Sequence, residues 1–184
     1  MIKKIIAIII FILFIKPTLA KEDTMILKLK DGNVLIELFN DKAPNHVKRF
    51  KQLSKEKKYD GVVFHRVIDS FMAQTGDVEY GNSNSGTYDI KRAGTGGSEY
   101  PDLKAEFSDI PHERGTLSMA RSNDPNSANS QFFICFKSAS QLDRQYTVFG
   151  KVVKGMEFVD LIKRGEGSSG EVSDPDKIIS LSVK

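Results

Sequence analysis

Short stretches in which apolar and polar residues alternate, each ended by turn-forming residues, confine this chain to an antiparallel β architecture. Met25, Leu27 and Leu29 alternate with Lys28 and Lys30, Asp31-Gly32 supplies a turn, and Val34, Ile36 and Leu38 resume the alternation. Side chains of a strand point to opposite faces in turn, so each such run buries one face. Asp-Gly between two of them signals a hairpin. Helical period shows clearly in two places. Pro44 opens the first, with Val47, Phe50 and Leu53 on one face to cap an open end of the sheet. The second runs from Met156 to Lys163, where Val159 and Ile162 sit among charged neighbours and Gly165 stops it. The last strand, Ile179-Leu181-Val183, is again period two. Many short strands with two helices point to a closed or nearly closed antiparallel barrel, which removes exposed sheet edges.

Two stretches hold residues that this pattern does not need. Along residues 62–68, alternation places Val62, Phe64, Arg66 and Ile68 on one side and Val63, His65 and Val67 on the other. In Ser130-Gln131-Phe132-Phe133-Ile134-Cys135-Phe136 the core face takes Phe132, Ile134 and Phe136, leaving Gln131 and Phe133 on the opposite side. Arg66, Gln74, Gln131 and Phe133, with Phe71 and Met72, would make a shallow apolar pocket edged by a fixed cation and amide donors. Such a pocket lacks a nucleophile and a paired acid and base, since Asp69 falls in a turn. Covalent catalysis is not expected of it.

The same residues carry a family resemblance. The motifs F-H-R-V-I-x-x-F-M-x-Q-x-G-D from Phe64, G-x-x-S-M-A-R from Gly115, S-Q-F-F-I from Ser130 and L-D-x-x-x-x-V-F-G-K-V from Leu142 occur in order. From about Met25 to its end the chain resembles the cyclophilin-type peptidyl-prolyl cis-trans isomerases. The resemblance implies a mainly β fold, a closed eight-stranded antiparallel β-barrel capped by two α-helices, with a substrate groove on its outer surface. It implies catalytic roles for Arg66 and Gln74, and substrate contacts from Phe71, Met72, Ala120, Arg121, Gln131, Phe133, Leu142 and Tyr146. At Ala120 and Arg121 the contact would be through the backbone, running antiparallel to the bound peptide. Neither a cofactor nor a metal is implied. Many eukaryotic members have tryptophan where Gln141 stands and histidine where Tyr146 stands, so activity should survive but cyclosporin should bind weakly.

The remaining features bound the cellular setting. Lys3 and Lys4, the apolar run Ile5 to Ile15 and Thr18-Leu19-Ala20 read as a secretory signal peptide over residues 1–20, leaving one domain over 21–184. An uncleaved anchor is the alternative, but the apolar run is shorter than the roughly 20 residues that span a bilayer. Export follows in either case, to a periplasm by preference and to the medium otherwise, with no stable membrane insertion after cleavage. Loss of Lys3, Lys4 and Lys16 leaves 24 basic against 24 acidic residues, which gives no warrant for nucleic-acid binding. The single cysteine, Cys135, cannot form an internal disulfide and reads as a small buried hydrophobe. His65 reads as core, while His46 on the helix and His112 in a loop read as surface positions. The glycine-rich residues 81–97 lack a phosphate-binding pattern, and the loop Tyr80–Arg92 is expected to shape recognition beside the groove.

Three functions fit these residues. The first is a prolyl isomerase, monomeric, acting on proline-containing unfolded or partly folded polypeptides that are exported. The second is a non-catalytic proline-peptide binding module or chaperone using the same groove, which would not need Arg66 and Gln74. The third, a hydrolase, would need an ordered nucleophile and base, which the sequence does not display.

Overall fold

The computed structural model describes residues 23–184, so the signal-peptide reading of residues 1–20 lies outside the described residues. The Asp31-Gly32 turn joins β1 (Thr24–Lys28) to β2 (Asn33–Leu38), with Leu29 N–H donating to the Gly32 carbonyl at 2.9 Å. Helix α1 (Pro44–Lys55) follows, then β3 (Arg66–Ile68), β4 (Met72–Thr75), β5 (Thr116–Met119), β6 (Phe132–Cys135), a 3-10 turn at Ser140–Leu142, β7 (Val148–Lys154), α2 (Met156–Val159) and β8 (Ser180–Val183). The second helix is a single turn and ends four residues short of the expected Lys163.

All eight strands form one antiparallel sheet, in the order β3-β4-β6-β5-β7-β2-β1-β8. The expected closed barrel is therefore corrected: the sheet is open and strongly curled, a half-barrel with two helices, because β3 and β8 do not pair with each other. Residues 165–178 lie along the free edge of β3 instead. Val67 N–H donates to the Gly170 carbonyl at 2.7 Å, Gly165 N–H to the Val67 carbonyl at 2.9 Å and Val172 N–H to the His65 carbonyl at 3.1 Å. This segment cannot run as a regular strand. Gly167 and Gly170 have φ of 62° and 72°, and a Cβ on Gly170 would lie 2.5 Å from the Ile68 side chain.

The interior is set by rows of residues directly opposite each other across the sheet. Val67, Ala73, Ile134 and Leu117 form one such row, all fully buried. Val47, Phe50 and Leu53 of α1 enter the same core, where the Phe50 ring meets Phe132 edge-on at 5.1 Å and Tyr59 donates to the Ser130 carbonyl at 2.8 Å. One part of the alternation fails. The strand begins only at Arg66, and Phe64 packs in the core with Val67 instead of sharing the Arg66 face.

His46 is fully buried, not on the surface. Pro44 lacks an N–H and Ala43 provides no cap, so the start of α1 needs an acceptor from elsewhere. Glu106 supplies it, accepting from the Asn45 and His46 N–H groups at 3.1 Å each and lying 2.7 Å from His46 Nδ1. Desolvation opposes ionisation of Glu106, but the bonds from His46 and Asn45 outweigh it and hold the carboxyl below its usual range.

Candidate active site

The row beside the core row carries the chemistry. Arg66 stands opposite Gln74, Gln74 opposite Phe133 and Phe133 opposite Ser118, so one line across four strands gathers three expected site residues on the outer face. Two positions along, Met72 stands opposite Ile68 and Cys135. Met72, Phe133, Cys135 and Ala139 form a small apolar cluster of their own, against which Phe71, Ala120, Leu142 and Tyr146 pack.

These residues enclose a cavity of about 210 Å³ lined by Arg66, Phe71, Met72, Gln74, Ala120, Arg121, Phe133, Leu142 and Tyr146. Gln131 is the one expected site residue outside that lining. It borders a neighbouring cavity of about 520 Å³, which shares Gln74, Ala120 and Arg121 with the first and is otherwise lined by glycines and small polar residues from Gly94 to Asn129.

A chain of hydrogen bonds orients the cation. Arg66 Nη1 donates to Gln74 Oε1 at 3.2 Å, and Arg66 Nε to the Ser169 carbonyl at 3.0 Å. Gln74 Nε2 donates to Gln131 Oε1 at 3.1 Å, and Gln131 Nε2 to the carbonyls of Gly94 and Gly96 at 3.0 and 2.8 Å. The far end is fixed by Asp77, which is fully buried. Its Oδ1 accepts from the Glu79 and Tyr80 N–H groups and its Oδ2 from those of Gly94 and Gly96, at 2.7–3.0 Å. A single carboxylate thus satisfies four backbone donors of the glycine-rich loop.

Arg121 presents both side chain and backbone. Its guanidinium lies 4.4 Å over the Tyr146 ring and donates to the carbonyls of Ser122 and Gln145, locking the wall of the pocket. Ala120 N–H is taken by the Gln131 carbonyl, which leaves the Ala120 carbonyl and the Arg121 N–H without a backbone partner among the described residues. Gln141, in the 3-10 turn, is exposed and lines neither cavity. Nor does any residue of Tyr80–Arg92 line either cavity. Arg92 instead covers the Tyr80 ring at 3.5 Å, and Ile90 and Lys91 line a separate cavity with His65.

His112, expected at the surface, is fully buried beneath the pocket and stacks on Phe133 with ring centroids 6.1 Å apart. Its Nδ1 lies 2.9 Å from Asp143 Oδ1 and its Nε2 3.0 Å from Ser118 Oγ. Bonds from the His112 backbone and ring hold the Asp143 carboxyl below its usual range. A serine, a histidine and an aspartate in line were not visible in the sequence. Ser118 is nevertheless fully buried, also bonds the Thr147 carbonyl at 3.0 Å, and lines neither cavity, so the trio braces Phe133 and offers no nucleophile. Cys135 is equally inert: burial pushes its thiol up to about 12.

His65 is buried as expected, against Gly94, whose φ of 100° and the 2.9 Å that an added Cβ would leave to the ring exclude a side chain there. Burial, opposed in part by Asp77, pulls the imidazole down to about 4. A histidine neutral when folded and protonated when unfolded stabilises the protein fully above its unfolded pKa of about 6.5 and loses that contribution as pH falls toward 4. Chemical denaturation across that window should show a loss of up to about 3 kcal/mol. His65→Phe should flatten the slope; an unchanged slope would place the acid sensitivity elsewhere.

A curled antiparallel sheet with an oriented guanidinium at the mouth of a small apolar pocket, and free backbone groups along one wall, defines a protein that handles extended peptides carrying a compact apolar ring. The chain belongs to the cyclophilin family: the profile of the cyclophilin type peptidyl-prolyl cis-trans isomerase/CLD matches residues 24–183. It is 59% identical over 164 residues to a probable peptidyl-prolyl cis-trans isomerase of Brucella suis, covering 89% of this chain and 83% of that one. A peptidyl-prolyl cis-trans isomerase of Acinetobacter baylyi is 40% identical, with 90% and 88% covered. Among solved structures, a Cryptosporidium parvum cyclophilin type isomerase determined in the presence of the dipeptide Ala-Pro superposes with a TM-score of 0.74 at 28% identity, over 88% of this chain and 98% of that one. The protein is a peptidyl-prolyl cis-trans isomerase acting on proline-containing peptides.

Proposed function

We propose that Arg66 carries the isomerisation, with Gln74 orienting it, and that the substrates are proline-containing segments of unfolded or partly folded chains exported with the enzyme. The observation that carries this reading is the guanidinium itself: with Nη1 on Gln74 and Nε on the Ser169 carbonyl, Nη2 has no hydrogen-bond partner among the described residues, and Arg66 lines the pocket.

Resonance gives the X-Pro C–N bond partial double-bond character and a rotational barrier of about 18–20 kcal/mol. When the bond is turned by a quarter, conjugation is lost and the prolyl nitrogen becomes pyramidal, with a lone pair that accepts a hydrogen bond. The planar nitrogen is a poor acceptor. A donor fixed at that position therefore binds the twisted state better than either planar one, which is the condition for catalysis. Phe71, Met72, Phe133, Leu142 and Tyr146 hold the proline ring while the preceding carbonyl swings. The Ala120 carbonyl and Arg121 N–H pair with the peptide backbone, and Gln131 steadies Gln74.

Export is supported by Lys3, Lys4, the Ile5 to Ile15 run and Thr18-Leu19-Ala20, and a periplasm suits a folding catalyst of this size better than the medium. Among the described residues no helix is long and apolar enough to cross a membrane. The enzyme works as a monomer without a nucleic-acid partner. A binding module is separated from an enzyme by two readouts on Arg66→Ala: calorimetric binding of an Ala-Pro peptide should persist while acceleration of its isomerisation, followed by NMR exchange, is lost. Binding and turnover both unchanged would remove Arg66 from the mechanism. Fractionation of the native cells tests the compartment, and recovery in the cytoplasm would overturn export.

A further inference from the structure

Away from the catalytic row, α1 and β8 enclose a groove of about 930 Å³ that shares no residue with the two cavities at the site. Lys48, Lys51, Lys55 and Lys57 line it, and Asp60 is the one carboxylate among its lining residues. Lys51 pairs with Asp23 at 2.9 Å, but Lys48, Lys55 and Lys57 are exposed and make no ion pair among the described residues. Of the apolar lining residues, Leu181 is buried in the core and Val183 is half-exposed.

Strand β8 is an edge of the open sheet, and only part of that edge is closed. Ser54 Oγ donates to the Leu181 carbonyl at 2.7 Å and Asp60 Oδ1 accepts from Leu181 N–H at 3.3 Å. Two residues on, Val183 turns its N–H and carbonyl the same way, and neither has a backbone partner among the described residues. The groove therefore offers three unpaired cations, the half-exposed Val183 side chain and an unused backbone donor and acceptor.

We propose that this groove is a second polypeptide-binding site, which takes an extended segment rich in Asp and Glu. Positive charge selects an acidic partner, and the backbone groups of Val183 select a peptide over other polyanions. The concave cleft between helix and strand does not fit a flat lipid surface. Residues 1–22 are not the complement, since Lys3, Lys4, Lys16 and Lys21 against Glu22 repeat the sign of the groove. The consequence rests on the isomerase reading: an acidic part of a client chain is held at α1 while a proline elsewhere in it is turned over.

The test uses a fluorescent proline-free peptide alternating glutamate with valine, and its glutamine counterpart, in polarisation titrations with the full mature chain. The glutamate peptide should bind and the glutamine peptide should not. The triple variant Lys48→Glu, Lys55→Glu, Lys57→Glu should lower affinity by about tenfold or more, and added salt should weaken binding further. Val183→Pro, which removes the outward N–H, should weaken it severalfold. Isomerisation of a short X-Pro peptide stays unchanged in both variants, which shows that they are folded and that the prolyl site is intact. Absence of glutamate-peptide binding, equal binding by the triple variant, or preference for phosphatidylglycerol vesicles over the peptide would each overturn the proposal without touching the isomerase reading.

Discussion

Arg66→Ala is expected to lower kcat/KM for a short X-Pro peptide by about 100-fold or more, the scale of losing one preorganised donor to a developing charge. Each tenfold corresponds to about 1.36 kcal/mol of differential stabilisation, and little other than this donor distinguishes the twisted bond from the planar one in an apolar pocket. Arg66→Lys should recover little of the loss. The present arginine uses Nη1 and Nε to fix its direction against Gln74 and Ser169, and a single ammonium cannot hold both and also reach the substrate. Wild-type and both variants measured on one peptide by NMR exchange would decide it. A lysine variant close to wild type would show that charge alone suffices and that the fork geometry is idle.

The second large effect is expected at Asp77. Asp77→Ala would leave the N–H groups of Glu79, Tyr80, Gly94 and Gly96 without the fully buried carboxylate they share. Each stranded donor costs about 1–3 kcal/mol, and partial rearrangement of the loop should reduce the sum to about 3–5 kcal/mol. For a domain of this size that is a fall in Tm of roughly 10 °C. Asp77→Asn should rescue only part, because its NH2 group would face two N–H donors. Activity should fall as well, since Gln131 is anchored on the Gly94 and Gly96 carbonyls and hands its order through Gln74 to Arg66. A scanning-calorimetry shift of less than about 3 °C would show that water replaces the carboxylate without loss.

Much of the site was legible because it follows strand alternation. Gln131 and Phe133 leave the core on the same side, and the motif spacing sets Gln74 opposite Arg66 across a three-residue turn at Asp69, Ser70 and Phe71. The hairpin at Asp31-Gly32 and the Pro44 start of α1 are likewise local events. What escaped was set by partners remote in sequence. His46 is buried because Glu106, sixty residues on, caps its helix, and His112 because Asp143 and Ser118 complete its bonds. Periodicity assigns a strand two faces but says nothing about its edges. The barrel therefore looked closed, when residues 165–178, bent by Gly167 and Gly170, occupy the edge that a strand would have taken. Phe64 misled for a related reason: alternation holds only within a ladder, and the ladder starts at Arg66.

The pairing of β1 with β8 sets the order in which this molecule can be assembled. Lys184 N–H donates to the Thr24 carbonyl at 2.9 Å, so the first strand of the sheet is completed by the last. A nascent chain that has not yet released residues 180–184 has an uncovered edge on β1 and leaves Ser54 of α1 without its acceptor. Contacts of such long sequence separation form late and slowly. Until β8 is in place, β1 thus keeps one edge unpaired.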